Sequence, residues 1–210
     1  MRWRLLAFPT MGQIWLGQID GILVLGLGLA MSSSNPFVRG IGLLLASIKP
    51  QVTGPAILVL LWYEKEKCKT LVAPAVAVFI SLLVWGWDWP IRWLLARHEP
   101  PPHVWRLATL FPYGLLAFVS LLWLKGKRQR VMGALLASAI GMPFYGTYSY
   151  VTFLVFLCPW WAVTASYVWL AGYPWYGNAA MRFAWLLPVA LLGYLVWLSV
   201  ARRKEVNERG

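Results

Sequence analysis

The sequence predicts an all-α fold: a polytopic transmembrane bundle of about seven or eight helices, several of them short or broken. Three observations predict it. Hydrophobic residues make up 60% of the chain and charged residues 12%, whereas soluble domains hold about 45–50% and about 25%. Several apolar runs approach or exceed the roughly 18 residues that signal a membrane helix. None of these runs alternates polar and apolar residues, which excludes the roughly ten-residue strands of a membrane barrel. A water-soluble enzyme, a disordered chain and a disulfide scaffold are excluded with it. The whole chain, residues 1–210, reads as a single transmembrane domain.

The elements follow in order. The first strong span is residues 14–31, closed by Ser32-Ser33-Ser34-Asn35-Pro36. Residues 40–63 are apolar except at Lys49-Pro50-Gln51. Proline removes a helical donor and biases the residue before it away from the α region, so this run reads as two short helices meeting at Lys49-Pro50, tilted or paired as a hairpin. A charged loop, 64–69, leads into the apolar run 70–87, and a Pro-rich polar loop covers 88–106. Another span, 107–124, ends at the cationic loop 125–130. Residues 131–172 are apolar with breaks at 143–150 and near Pro159, and the last span is 183–200. Gly17 and Gly21 are spaced as GxxxG, and with Gly26 and Gly28 they read as a helix-packing surface.

Net charge is +12. The cations sit at the ends of apolar runs, where they set topology and meet anionic headgroups, so nucleic acid is not the expected partner. The positive-inside rule places 64–69, 125–130, Arg39 and the C-terminal tail in the cytoplasm of a multi-pass cell-membrane protein. Lys49, the 88–106 loop and the 143–150 break then fall on the outer face. Residues 147–173 must cross twice, turning near Cys158-Pro159-Trp160. The start, Met1-Arg2-Trp3-Arg4, looks like a signal peptide but lacks an A-x-A site, so it is expected to be retained, with residues 1–13 outside. Two cysteines and two histidines without ligand spacing predict no metal and no cofactor.

Four groups could carry chemistry. Lys49 is the only charge between residues 40 and 63, and a mid-bilayer lysine costs roughly 2.5–3.5 kcal/mol. Beside Pro50 and Gln51 it is expected at a helix break near the outer interface, facing an anion such as a lipid phosphate; otherwise it snorkels from a helix end. Gln18 and Asp20 open the first span. An acid there is costly unless paired, although an acid in a first turn also suits the helix dipole. The turn 143–150 offers the hydroxyls of Tyr145, Tyr148 and Ser149 on the same face as Lys49, as a binding surface or an aromatic interfacial turn. Arg92 and Arg97 in the 88–106 loop could clamp a phosphate, or simply be solvated.

The segments FPTMGQIWLGQIDGILVLGLGLA, NPFVRGIGLLLASIKPQVTGPAILVLLW and MPFYGTYSYVTFLVFLCPW, taken in this order, resemble glycosyltransferase family 87, bacterial membrane enzymes of the GT-C class. The resemblance is to the C-terminal half of that family. It implies hexosyl transfer, mannosyl in some members, from a polyprenyl-phosphate sugar on the extracytoplasmic face. It makes Lys49 the lysine facing the lipid phosphate and matches Gln18 and Asp20 to the Gly-Gln motif. Where members often carry an aromatic then an acidic residue, this chain has Tyr148-Ser149. The family's catalytic carboxylate lies in an N-terminal outer loop with no counterpart here, which implies a truncated form or a second chain carrying the missing half. The rival expectations are a non-catalytic subunit or pseudoenzyme that binds polyprenyl phosphate, and a lipid or solute transporter. A transporter would show repeated halves, and no internal repeat is evident.

Overall fold

The computed structural model describes residues 7, 9–10, 19–96, 109–143 and 145–207. All regular structure among them is helical. The α-helices are α1 (Asp20–Ser32), α2 (Pro36–Ala46), α3 (Pro50–Tyr63), α4 (Lys67–Trp85), α5 (Trp89–Ala96), α6 (Gly126–Gly141), α7 (Val151–Leu154), α8 (Trp160–Ala165), α9 (Tyr173–Tyr176) and α10 (Leu186–Asn207). Tighter 3₁₀ segments occupy Tyr113–Leu122, Thr147–Tyr150, Val168–Gly172 and Gly177–Phe183.

Local chemistry sets the boundaries. Asn35 starts α2: its side chain accepts from Phe37 N at 2.9 Å, and Pro36 takes the first helical position, where its missing N–H is not needed. The expected break between α2 and α3 falls at Lys49-Pro50, and Thr53 closes it. The Thr53 hydroxyl lies 2.5 Å from Ala46 O and 3.2 Å from Lys49 O, serving carbonyls that the break leaves without helical donors. Gly86, at φ 88°, ends α4 in a conformation that an L side chain rarely adopts.

Helix α6 is the centre. Val131 through Gly141 are all buried, packed by α3, α10 and the Tyr113–Leu122 segment. The last of these comes in close because neither Gly114 nor Gly141 has a side chain at the contact. Helices α1 and α2 cross through Gly26 and Gly42. A Cβ on Gly26 would lie 2.6 Å from Gly42 O, and one on Gly42 would lie 2.6 Å from Gly26 O. Of the expected glycine surface, Gly26 therefore packs. Gly21 and Gly28 face open space, and Gly17 lies outside the described residues.

Three local expectations need correction. Residues 125–130 are not a loop: α6 begins at Gly126, because Lys127 to Arg130 are good helix formers once the turn before them is made. The run 107–124 is wound as 3₁₀ over Tyr113–Leu122. The polar 88–106 stretch contains α5. Among the described residues, two helical stretches are long and apolar enough to cross a membrane, Lys67–Trp85 and Ala179–Ala201. Asp20–Ser32, Pro36–Ala46 and Tyr113–Leu122 are apolar but shorter.

The bundle has two chemically different ends. Arg39, in the first turn of α2, grips the carboxylate after α3: its Nε and Nη2 donate to the Glu64 oxygens at 2.7 and 2.8 Å, and its Nη1 donates to Ser34 O at 2.8 Å. Lys127 reaches Ala30 O near the end of α1, and the Ser199 hydroxyl of α10 reaches Trp123 O. These contacts gather Arg39, 64–69 and 125–130 at one end, the grouping that the charge pattern predicts. Burial pushes the Glu64 carboxyl up, but the Arg39 hydrogen bonds, the Glu66 N–H and the Arg39 and Lys127 charges outweigh it. Together they hold the carboxyl below its ordinary 4.5. A depressed native value gives stability that is fully present above 4.5 and lost as pH falls through the native value. Acid titration of Tm below pH 4.5 should therefore be shallower for Glu64→Gln than for the parent chain.

Candidate functional site

The opposite end holds a polar cluster drawn from three distant segments. Asp20 occupies the first turn of α1, where the helix dipole favours an anion, and it is fully buried. Lys49 sits at the apex between α2 and α3. Its backbone departs from helix there, at φ −123° and ψ 79°, because Pro50 follows. Its ammonium forms an ion pair with Asp20 Oδ1, and the Lys49 side chain as a whole keeps 18% exposure. The Ser149 hydroxyl donates to Asp20 Oδ2 at 2.5 Å. The half-buried Tyr148 ring lies 4.9 Å from the ammonium, in cation–π reach.

A second row of hydroxyls orients the first. Thr152 donates to Ser149 O at 2.7 Å, and its Oγ1 lies 3.1 Å from Tyr145 OH. A threonine hydroxyl has one proton, and Ser149 O takes it, so Tyr145 is the donor in the second bond. The chain Tyr145, Thr152, Ser149, Asp20, Lys49 thus runs from the core to the partly exposed Lys49 side chain. Burying a carboxylate and an ammonium side by side is tolerable only when the remaining lone pairs are also met, and Ser149 meets one of them.

The structure therefore brings together Asp20, Lys49, Tyr148 and Ser149 from the predicted set. Gln51 follows Lys49 by two residues and is half-buried in the first turn of α3. Tyr145 is not a surface hydroxyl. It is fully buried, beside Tyr150 with ring centroids 5.9 Å apart, and it acts as a support. Arg92 is not part of the cluster: it is exposed, paired with Asp88 at 3.0 Å and bonded to Trp85 O at 2.6 Å. An i,i+4 partner one turn back is the cheapest place for its charge to go. Gln18 and Arg97 lie outside the described residues. Thr53 and Thr152 were missed by sequence reasoning. Their only signal was position: a hydroxyl three residues after Pro50 and another three after Ser149, the spacing at which threonine bonds back to its own turn.

The segment 147–157 runs the length of α1. It starts at the Asp20 cluster and ends with Phe156 lining a cavity beside Met31, Ser32, Lys127 and Arg128 at the cationic end. The expected turn near Cys158-Pro159-Trp160 is present: Pro159 is extended at φ −60° and ψ 153° before α8, and Ser166 and Trp169 beyond it line a small pocket with Thr147 and Tyr150. No family model, curated protein or solved structure matches this chain.

Proposed function

We propose that the chain is a multi-pass cell-membrane protein whose Asp20–Lys49 end receives the phosphate of a polyprenyl-phosphate sugar and serves hexosyl transfer from that donor on the extracytoplasmic face. The observation that carries the reading is convergence. The three segments whose order resembles glycosyltransferase family 87 put Asp20, Lys49 and Tyr148-Ser149 into one cluster, at the end away from the cationic loops.

Embedding in a bilayer is supported by the outside of α4. Leu71, Val76, Phe79, Leu83 and Val84 are 40–65% exposed along it, an apolar surface that water would not tolerate and acyl chains would. The cationic end and the C-terminal tail then face the cytoplasm. Lys49 supplies charge for the leaving phosphate, and Asp20 fixes where that charge sits.

A second reading, a subunit that binds the donor lipid without transferring its sugar, is favoured by the enclosure of Asp20. Both of its oxygens are engaged, by Lys49 and Ser149, so it is not poised to take a proton from an acceptor hydroxyl. In that case the base comes from another chain. The test is transfer of labelled sugar from a polyprenyl-phosphate donor by the purified chain, beside Lys49→Ala, with donor binding measured separately. Binding should fall about tenfold or more with Lys49→Ala, the size of a lost bond to a charged group. Transfer unaffected by that change would remove Lys49 from the site. Binding without transfer in the parent chain would favour the subunit reading.

A further inference from the structure

Among the described residues the cationic end carries eight Lys and Arg, at 39, 65, 67, 69, 125, 127, 128 and 130, against Glu64 and Glu66. Arg39 and Lys69 are held by those two carboxylates. The rest form a positive rim that the ion pairs do not neutralise. Into this rim opens a cavity of about 210 Å³ between α3 and the Tyr113–Leu122 segment. It is lined by the apolar Val59, Trp62, Leu121 and Leu122 and by Tyr63 and Arg130. Trp62 and Leu122 are 78% and 75% exposed, so the apolar wall continues onto the outer surface.

Arg130 is held in that lining. Its Nε donates to Leu124 O at 3.1 Å, and its guanidinium carbon lies 5.9 Å from the Tyr63 ring centroid. A guanidinium fixed through Nε presents its two terminal nitrogens as a fork, the geometry that a phosphate accepts best. An apolar trough, an aromatic residue at interfacial depth and a forked cation above it match the parts of a phospholipid in sequence: acyl chain, glycerol region and phosphate.

We infer that this groove is a binding site for an anionic phospholipid of the bilayer, with the headgroup phosphate on Arg130 and one acyl chain along Val59, Leu121 and Leu122. The site is separate from the Asp20–Lys49 end and rests on the membrane reading alone. It takes the lipid from the leaflet that faces the cationic loops. The neighbouring cavity at Lys127 and Arg128, about 340 Å³, shares the rim but has only two apolar side chains in its lining, Met31 and Phe156.

The experiment is native mass spectrometry of the full chain in detergent micelles, titrated with dioleoyl phosphatidylglycerol or dioleoyl phosphatidylcholine. Phosphatidylglycerol should be retained in preference, and Arg130→Gln should lower its retention about tenfold, as expected for loss of a charge-assisted fork. Leu122→Glu, an exposed change that puts a carboxylate in the trough, should do the same. Lys65→Gln, an equal charge removed from an exposed position outside the groove, should leave retention unchanged. Equal retention of the two lipids overturns the inference, and so does an equal loss with Lys65→Gln and Arg130→Gln, which would mean diffuse attraction. Loss with Lys127→Gln but not with Arg130→Gln also overturns it. Alkaline extraction of membranes separates this failure from that of the membrane reading: a chain released into the soluble fraction defeats both, whereas one that stays in the pellet while Arg130→Gln has no effect defeats only the groove.

Discussion

Asp20→Ala is expected to lower stability by about 3–5 kcal/mol, the cost of leaving a buried ion's partner uncompensated. Asp20 has no exposure, and its removal strands the Lys49 ammonium and the Ser149 hydroxyl together. Asp20→Asn should fall between alanine and the parent, because an amide still accepts from Ser149 but does not balance the ammonium. The double change Asp20→Leu with Lys49→Met should recover most of the loss, since an apolar pair of similar volume needs no counterion. Denaturant titration in mild detergent measures these chains together with the single changes Asp20→Leu and Lys49→Met, and the coupling energy follows from the cycle of parent, two singles and double. Single and double changes that simply add would mean that the two side chains do not interact.

Gly42→Ala is the second large effect, at about 1–3 kcal/mol, the usual cost of forcing a methyl into a filled contact. The added carbon would sit 2.6 Å from both Ala30 N and Gly26 O, which are main-chain atoms and cannot rotate away. Helices α1 and α2 would have to separate, and Asp20 rides on the first of them. The change should therefore lower Tm and, on the proposed function, also weaken donor binding. Gly28→Ala, on the same helix as Gly26 but facing open space, is the control and should be neutral or slightly stabilising. A Gly42→Ala chain as stable as the parent would mean that the two helices do not meet through these glycines.

Much of this arrangement was legible in the chain. Pro50 announces the α2–α3 break because a proline cannot donate and its neighbour cannot stay helical. Lys49 and Asp20 stood out because isolated charges in apolar runs need partners. That they would partner each other was not legible, since 29 residues of sequence separation carry no geometry. The glycine pattern was ambiguous for a related reason. Spacing shows which glycines share a helical face but not which face meets the neighbour, and Gly26 met it while Gly21 and Gly28 did not. Arg92 was misplaced because an exposed arginine on a short helix finds Asp88 one turn away before it finds anything distant. The 3₁₀ winding of Tyr113–Leu122 had no signal in hydropathy, which measures burial and not pitch.

The short hairpin has a consequence for how the protein is made. Eleven residues of α2 and fourteen of α3 rise about 16 and 21 Å, each less than the roughly 30 Å hydrocarbon layer. On the proposed membrane reading neither helix is a finished span, and the two enter the bilayer as one hairpin with Lys49 at its tip. The carboxylate that pairs with this tip lies on the preceding helix, so in the order of synthesis the acid comes first and the base second.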